Sequence, residues 1–325
     1  MRAFPIVLLL ISFSLGQPFD PASATNYLGN GFDFSTGTYS LAPIFMFTYD
    51  ANATWTSPYS RKTFSVPDQM YLHPLDKTFE SVTEHVWESY QEFYESYVTR
   101  FSFSIGIETG VVGFGFHYDR QSYFVHDAFE QDYVQIVHGT HWWTFNIGSL
   151  YPAEMLPLNP MFKMATNKFP QKIVTQNDID YATEYTDTFG QFFVYRSVFG
   201  AEIDFNIAIT ETLKKSYTKE WISNQAGLSF HYYLFNVSAG AFENRTQIHI
   251  DKEFLENTNA NTSFYGGDPA LADVKKLDQW VLSIDQNLYP LNSTFVPIWS
   301  LVSDPIKQET MKDFMMNYIK KHNNH

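Results

Sequence analysis

Phe189-Gly190-Gln191-Phe192-Phe193, six further residues and then Gly200-Ala201 sit inside an aromatic run, Tyr181–Phe205. Upstream of that run, Phe101–Tyr118 carries the clearest local pattern in the chain. Phe101, Phe103, Ile105 and Ile107 alternate with Ser102, Ser104, Gly106 and Glu108. Thr109-Gly110 supplies a two-residue turn. Val112, Phe114, Phe116 and Tyr118 then alternate with Val111, Gly113, Gly115 and His117. Pairing across the turn sets Ile107 against Val112, Ile105 against Phe114, Phe103 against Phe116 and Phe101 against Tyr118. One face of this hairpin is wholly apolar and the other mostly small or polar. Alternation of this kind fits a half-buried hairpin of a soluble sheet as well as a membrane strand. The small polar face and a length close to the roughly 9–11 residues of a spanning β-strand suit the second reading.

Downstream, a less regular hairpin pattern runs from Leu228 to Ile250. Tyr233, Phe235, Val237, Ala239 and Ala241 alternate with Leu234, Asn236, Ser238 and Gly240. After a turn-like Glu243-Asn244 come Ile248 and Ile250, alternating with Gln247 and His249. Gly29-Asn30-Gly31 has turn chemistry and leads into a strand-like run, Tyr39–Tyr49. Val86, Tyr90, Phe93 and Tyr97 recur at helical spacing, which predicts a packed surface helix within Asp76–Tyr97. Met161–Pro170 reads as a short connector and Phe264-Tyr265-Gly266-Gly267-Asp268-Pro269 as a strong break. Asp304-Pro305 opens a last helix, Ile306–Lys321.

The chain begins with Arg2, an apolar Ile6–Ile11 and small residues at Ser14-Leu15-Gly16. That order predicts a secretory leader over residues 1–16. No later apolar run reaches the roughly 20 residues of a spanning helix. The expected organisation is one domain over 17–321, with no internal repeat or linker, and a tail at 322–325. A net charge of −14 excludes attraction to nucleic acid, or to anionic lipid, by bulk charge. Any membrane targeting therefore needs a local patch, a partner or apolar insertion. The absence of cysteine excludes thiol catalysis and Cys-ligated zinc. An aromatic content of 18% favours strands and interfacial belts. Asn52, Asn236, Asn244, Asn261 and Asn292 begin Asn-x-Ser/Thr sequons.

The usual catalytic constellations are missing: no Gly-x-Ser-x-Gly elbow, no His-Glu-x-x-His, no phosphate-binding loop. His138 and His141 could share a metal, but nothing near them in sequence completes a site, and they read as a wet strand or turn. Glu184 and Asp187 read as a solvated face. No catalytic residue, cofactor or metal is assigned.

The spacing of Phe189, Gly190, Phe193 and Gly200 resembles the membrane-attack-complex/perforin (MACPF) signature, Tyr-Gly-Thr-His-Phe/Tyr, six residues, Gly-Gly. Gln191, Phe192 and Ala201 depart from it. Leu28–Asp33 is similar to the family's Gly-x-Gly-Phe-Asp opening. Leu158–Phe162 resembles the segment before the signature, and Gly266-Gly267 with Trp280, Ser283 and Pro290 resembles the C-terminal block. The resemblance covers Asn26 to Lys320. It implies an α+β fold shared with cholesterol-dependent cytolysins: a bent, twisted four-stranded antiparallel sheet flanked by helical clusters. It also implies that two segments, about Tyr97–Asp132 and Thr212–Ala260, are helical in the soluble form and unfurl into β-hairpins on oligomerisation. Those segments coincide with the two alternating patterns.

A lone hairpin leaves unpaired backbone in hydrocarbon, so insertion demands a closed ring or an arc of subunits. The glycines at 190, 200, 266 and 267 would allow bending and close approach of backbones. The implied protein is an exported pore-forming effector, secreted or held in a vesicle lumen, whose partners are a lipid membrane and further copies of itself. The alternative is a non-lytic member acting in adhesion, development or binding, which a glycan at Asn244 would favour. A secreted hydrolase is a third class, without a catalytic constellation to support it. The ten histidines suggest tuning of assembly by pH.

Overall fold

The computed structural model describes residues 19–57, 60–75, 82–93, 113–114, 118–131, 133–235 and 250–322. The expected leader at 1–16 lies outside them. So do Phe101, Phe103, Ile105, Ile107, Val112 and Phe116 of the first hairpin pattern, and Val237, Ala239, Ala241 and Ile248 of the second, together with Asn236 and Asn244.

The strands are β1 (Asn30–Asp33), β2 (Thr38–Pro43), β3 (Thr54–Thr56), β4 (Thr63–Ser65), β5 (Met70–Pro74), β6 (Val82–Trp87), β7 (Gly113–Phe114), β8 (Tyr133–Leu150), β9 (Phe192–Thr210), β10 (Thr258–Tyr265) and β11 (Tyr289–Pro297). β3 and β4 form their own ribbon, and the other nine make one antiparallel sheet. Its spine is β8 and β9, of 18 and 19 residues, paired from Tyr133–Thr210 to Ser149–Arg196. Beyond β8, β6 pairs with Ile136–His141 and β5 with Asn146–Leu150. Beyond β9, β10 pairs with Glu202–Ile209 and β11 with Phe192–Gly200. The sheet is thus four strand positions wide, with each outer position filled by two shorter strands. β1 joins β9 past the end of β8, and β7 touches β11 at Ser293 and Thr294.

The helices are α1 (Tyr118–Glu130), α2 (Pro160–Lys168), α3 (Gln176–Phe189), α4 (Glu211–Ser216), α5 (Lys219–Phe235), α6 (Lys252–Glu256), α7 (Leu277–Val281) and α8 (Pro305–His322). Phe93, with Val125 and Ala128 of α1, packs with Trp87, Ile136 and Ala208 on one face of the sheet. Leu213, Ile222, Ala226, Phe230 and Phe254 of α4, α5 and α6 belong to the large core with Val137, Ile203, Phe205, Ile207 and Ile209, whose side chains leave the opposite face. At the far end of the sheet, α2, α3 and α8 form a helical layer. Phe162 packs edge to face on Phe189 there, with Tyr185 tilted against Phe189, and Lys307 Nζ donates to the Thr166 and Asn167 carbonyls that end α2. No described helix is long and apolar enough to cross a membrane.

Two local expectations need correction. Val82–Trp87 is a strand, because its β-branched and aromatic residues pair along β8; helix begins at Tyr90, and Tyr97 lies outside the described residues. The expected connector at Met161–Pro170 is largely helix α2, started by the Asn159 side chain accepting from the Met161 N–H, with Pro160 in the first turn.

Candidate functional site: the bend of the sheet

Irregularities in three of the four strand positions fall on one line across the sheet, and β9 runs through it unbroken. Beside β8, the described pairing ends at Pro74, opposite Asn146, and resumes at Val82, opposite His141. In β8 the register with β9 shifts between Thr144 and Asn146. On the other flank, β10 ends at Tyr265 opposite Glu202, and β11 begins at Tyr289 opposite Gly200. Bulges bend and twist the strands that carry them, so this line is where the sheet turns.

Glycine is required there for space. A Cβ on Gly200 would stand 1.7 Å from the Trp143 carbonyl oxygen. Gly266 and Gly267 have φ of 83° and 64°, the left-handed region that glycine adopts without penalty. A Cβ on Gly267 would meet the Trp280 indole at 2.5 Å, and one on Gly266 the Ala201 methyl at 3.1 Å. Ala201, in place of the signature's second glycine, is fully buried against the glycine turn. Trp280, also fully buried, donates from Nε1 to the Gly266 carbonyl at 3.0 Å and stacks edge-on to Trp143 and Phe264. The Ser283 hydroxyl accepts from the Asp268 N–H and donates to the Trp280 carbonyl, each at 2.7 Å. A cavity of about 440 Å³ lined by Gly267, Gln279, Ser283 and Gln286 lies beside this turn.

The signature's first half works at the end of the sheet. Gly190 closes α3 with φ 74°, and a Cβ there would strike the Phe32 backbone at 2.5 Å. Phe193 is buried against Phe45. Gln191, a departure from the signature, ties the segment to β1: its Oε1 accepts from the Phe34 N–H and its Nε2 donates to Asp33, both at 2.8 Å.

Sequence reading missed a row of buried polar groups that starts at the bend. Glu202, Asp204 and Asn206 of β9 share one face with Thr140 and His138 of β8, and all are buried. His138 Nδ1 lies 2.8 Å from Asn206 Oδ1. The only local signal is the alternation Glu202-Ile203-Asp204-Phe205-Asn206, which reads as an ordinary solvent-facing strand edge. His138 and His141 are buried mid-strand rather than wet, and three residues apart on a strand they face opposite sides, so they do not share a metal. His126, Asp127 and Glu130 on α1 bring donor atoms within reach of one cation, but all three are exposed.

Five of the hairpin candidates lie among the described residues. Phe114 lies in β7, Tyr118 begins α1, Tyr233 and Phe235 end α5, and Ile250 precedes α6. Asn52 and Asn292 are exposed, and Asn261 is half-buried on β10.

An antiparallel sheet broken along one line, with a glycine turn gripped by tryptophan beside the break, defines the class of fold. The chain matches the MAC/Perforin domain over residues 17–324, and it belongs to that family. Its fold is similar to that of GNIP1Aa from Chromobacterium piscinae, with a TM-score of 0.68 at 16% identity over 94% of this chain. The chain spans 57% of that protein's length. It is also similar to Astrotactin-2, described as a conserved vertebrate-specific, perforin-like membrane protein involved in neuronal development. There the TM-score is 0.50 at 14% identity, over 92% of this chain and 100% of that one. At such identities the likeness is one of fold. No curated protein matches the chain in sequence.

Proposed function

We propose that this protein is an exported, non-enzymatic pore-forming effector whose subunits assemble on a target membrane and feed two hairpins each into a shared β-barrel. In this reading residues 17–321 are one domain behind a leader at 1–16. One observation carries it. The segment 88–132 joins β6 to β8, and the segment 211–257 joins β9 to β10. All four strand ends lie together, as the pairs Trp87–Ile136, Tyr133–Thr210 and Thr258–Ile209 require. Extending both segments would therefore continue the sheet in the order β6, β8, β9, β10, four strands wide, without a crossing connection. Closure by neighbouring copies would remove the two remaining edges, which hydrocarbon does not tolerate.

The test is release of an entrapped dye from liposomes, with electron microscopy of the membrane-bound protein. A disulfide lock supplies the control, since the chain has no cysteine of its own. A Cβ at Gly139 would lie 3.7 Å from the Phe230 ring, so the pair Gly139→Cys and Phe230→Cys should tie α5 to the sheet. Release that reductant restores in the locked variant supports the proposal. A wild-type protein that forms neither rings nor arcs and releases nothing across lipid compositions refutes it. The second reading, a non-lytic member, draws on the Asn244 sequon within the second segment: a glycan found there by peptide mapping would oppose crossing the bilayer.

A further inference from the structure

Glu202 and Asp204 are two residues apart on β9, so both side chains leave the same face of the sheet. Glu202 is 2% exposed and Asp204 is 0% exposed. Glu202 is also the last β9 residue held by β10 before the break, so the acid pair sits on the bend line itself. Among the described residues, the strands around the pair offer aromatic and hydroxyl groups. β8 contributes Trp142 and Thr140 and β10 contributes Tyr265 and Ser263, opposite Glu202 and Asp204 respectively. β11 contributes Tyr289, with Tyr27 and Tyr39 behind it, and burial holds these three phenols well above their ordinary range. His138 and His85 stand one step further along the same face. Of the described cations, Arg196 on β9 is exposed, and Lys214 and Lys219 pair with Glu88.

Side by side on one covered face, Glu202 and Asp204 can hydrogen-bond to each other only if one of them carries a proton, since two carboxylates have no donor between them. Burial pushes the Glu202 carboxyl up to about 7. Two adjacent anions in a covered interior repel and are poorly solvated.

We propose that Glu202 and Asp204 form a proton-held latch on the bend line, sharing one proton while the sheet is bent and covered, and loosening the sheet when that proton leaves. What loosening leads to rests on the pore-forming reading; the latch itself does not. Acid favours the covered form, because that form binds the proton more tightly than an opened, hydrated one. The preference is complete below the ordinary glutamate value of 4.5 and is lost as pH climbs through about 7. For Glu202 alone, linkage changes the covered-to-open ratio roughly 70-fold between about pH 5 and pH 8.

The test is hydrogen exchange of the full-length protein without lipid, corrected for intrinsic rates, at pH 5, 6.5 and 8. Wild type should open at residues 140–146 and 198–206 at least tenfold more at pH 8 than at pH 5, while α8 does not change. Glu202→Gln, which keeps a neutral group of the same shape, should be flat with pH, and Asp204→Asn should flatten likewise. A wild-type profile that is flat at the bend, or a slope that survives both substitutions, overturns the latch. If one variant does not fold, the other and the wild-type profile decide. Dye release separates the two readings. A pH slope in exchange with no release at any pH keeps the latch and sinks the pore. Release with no slope in exchange keeps the pore and sinks the latch.

Discussion

Gly200→Ala is the smallest change that should break the bend line. The added methyl would stand 1.7 Å from the Trp143 carbonyl oxygen and 3.0 Å from the Thr144 Cα, so β8 and β9 must separate by more than an ångström at their closest approach. Trp143 and Thr144 pair there with Ala201 and Gly200, and about two backbone hydrogen bonds are forfeited. Each contributes about 1 kcal/mol net and costs about 1–3 kcal/mol when its groups are left buried without partners. The expected loss is about 2–5 kcal/mol. In a domain of this size about 1 kcal/mol moves the melting temperature by roughly 2–4 °C, so thermal unfolding followed by circular dichroism should show a drop of roughly 5–15 °C. Gly139→Ala is the control. It lies on the same strand, but its added methyl meets only the Phe230 ring at 3.7 Å, an ordinary contact, and its stability should stay within about 1 kcal/mol of wild type. A Gly200→Ala protein that melts within about 2 °C of wild type, or a control that falls as far, would refute the assignment of the bend to this contact.

Other substitutions probe the groups that brace the bend. Trp280→Phe removes the donor to the Gly266 carbonyl and should lower stability by about 1–3 kcal/mol in urea unfolding, with Trp280→Ala costing about 3–5 kcal/mol. Gln191→Ala leaves the buried Phe34 N–H without its acceptor and should cost about 1–3 kcal/mol on the same assay. Thr175→Ala breaks the capping box with Asp178 and should cost about 1 kcal/mol. Peptide mapping of protein made in a eukaryotic secretory pathway should find glycans on the exposed Asn52 and Asn292.

The family and fold class were legible because the signature and its flanking segments keep their order along the chain. Gly200, Gly266 and Gly267 meet at one turn, although Gly200 and Gly266 are far apart in sequence. Local periodicity was a poorer guide. Val86, Tyr90 and Phe93 have helical spacing, yet Val86 belongs to a strand whose pairing with β8 outweighs that preference. The buried acids were invisible for a different reason. Glu202-Ile203-Asp204-Phe205 alternates as a strand with one wet face does, and only tertiary structure shows that helices cover both faces. Gln191 looked like a loss from the signature and turns out to hold the segment to β1.

In the proposed conversion, that double covering would also order the events of opening. The face that α1 packs on carries a small apolar patch of Trp87, Ile136 and Ala208, and the buried polar groups Thr140, His138, Asp204 and Asn206 stand beside it. Lifting α1 would hydrate groups that prefer water and expose little else. The face under α5 presents Ile203, Phe205, Ile207 and Ile209, each nearly or fully buried, and exposing such side chains costs about 1.5–3 kcal/mol apiece. The first segment should therefore leave the sheet readily, whereas the second should wait until another surface, such as a neighbouring copy, covers the apolar face. Hydrogen exchange on the monomer measures this directly, because local opening free energies follow the buried apolar area that must be released. Amides of 118–130 should exchange faster than those of 219–235, by at least tenfold, or about 1.4 kcal/mol. Equal rates, or faster exchange in α5, would show that the two faces do not set the order.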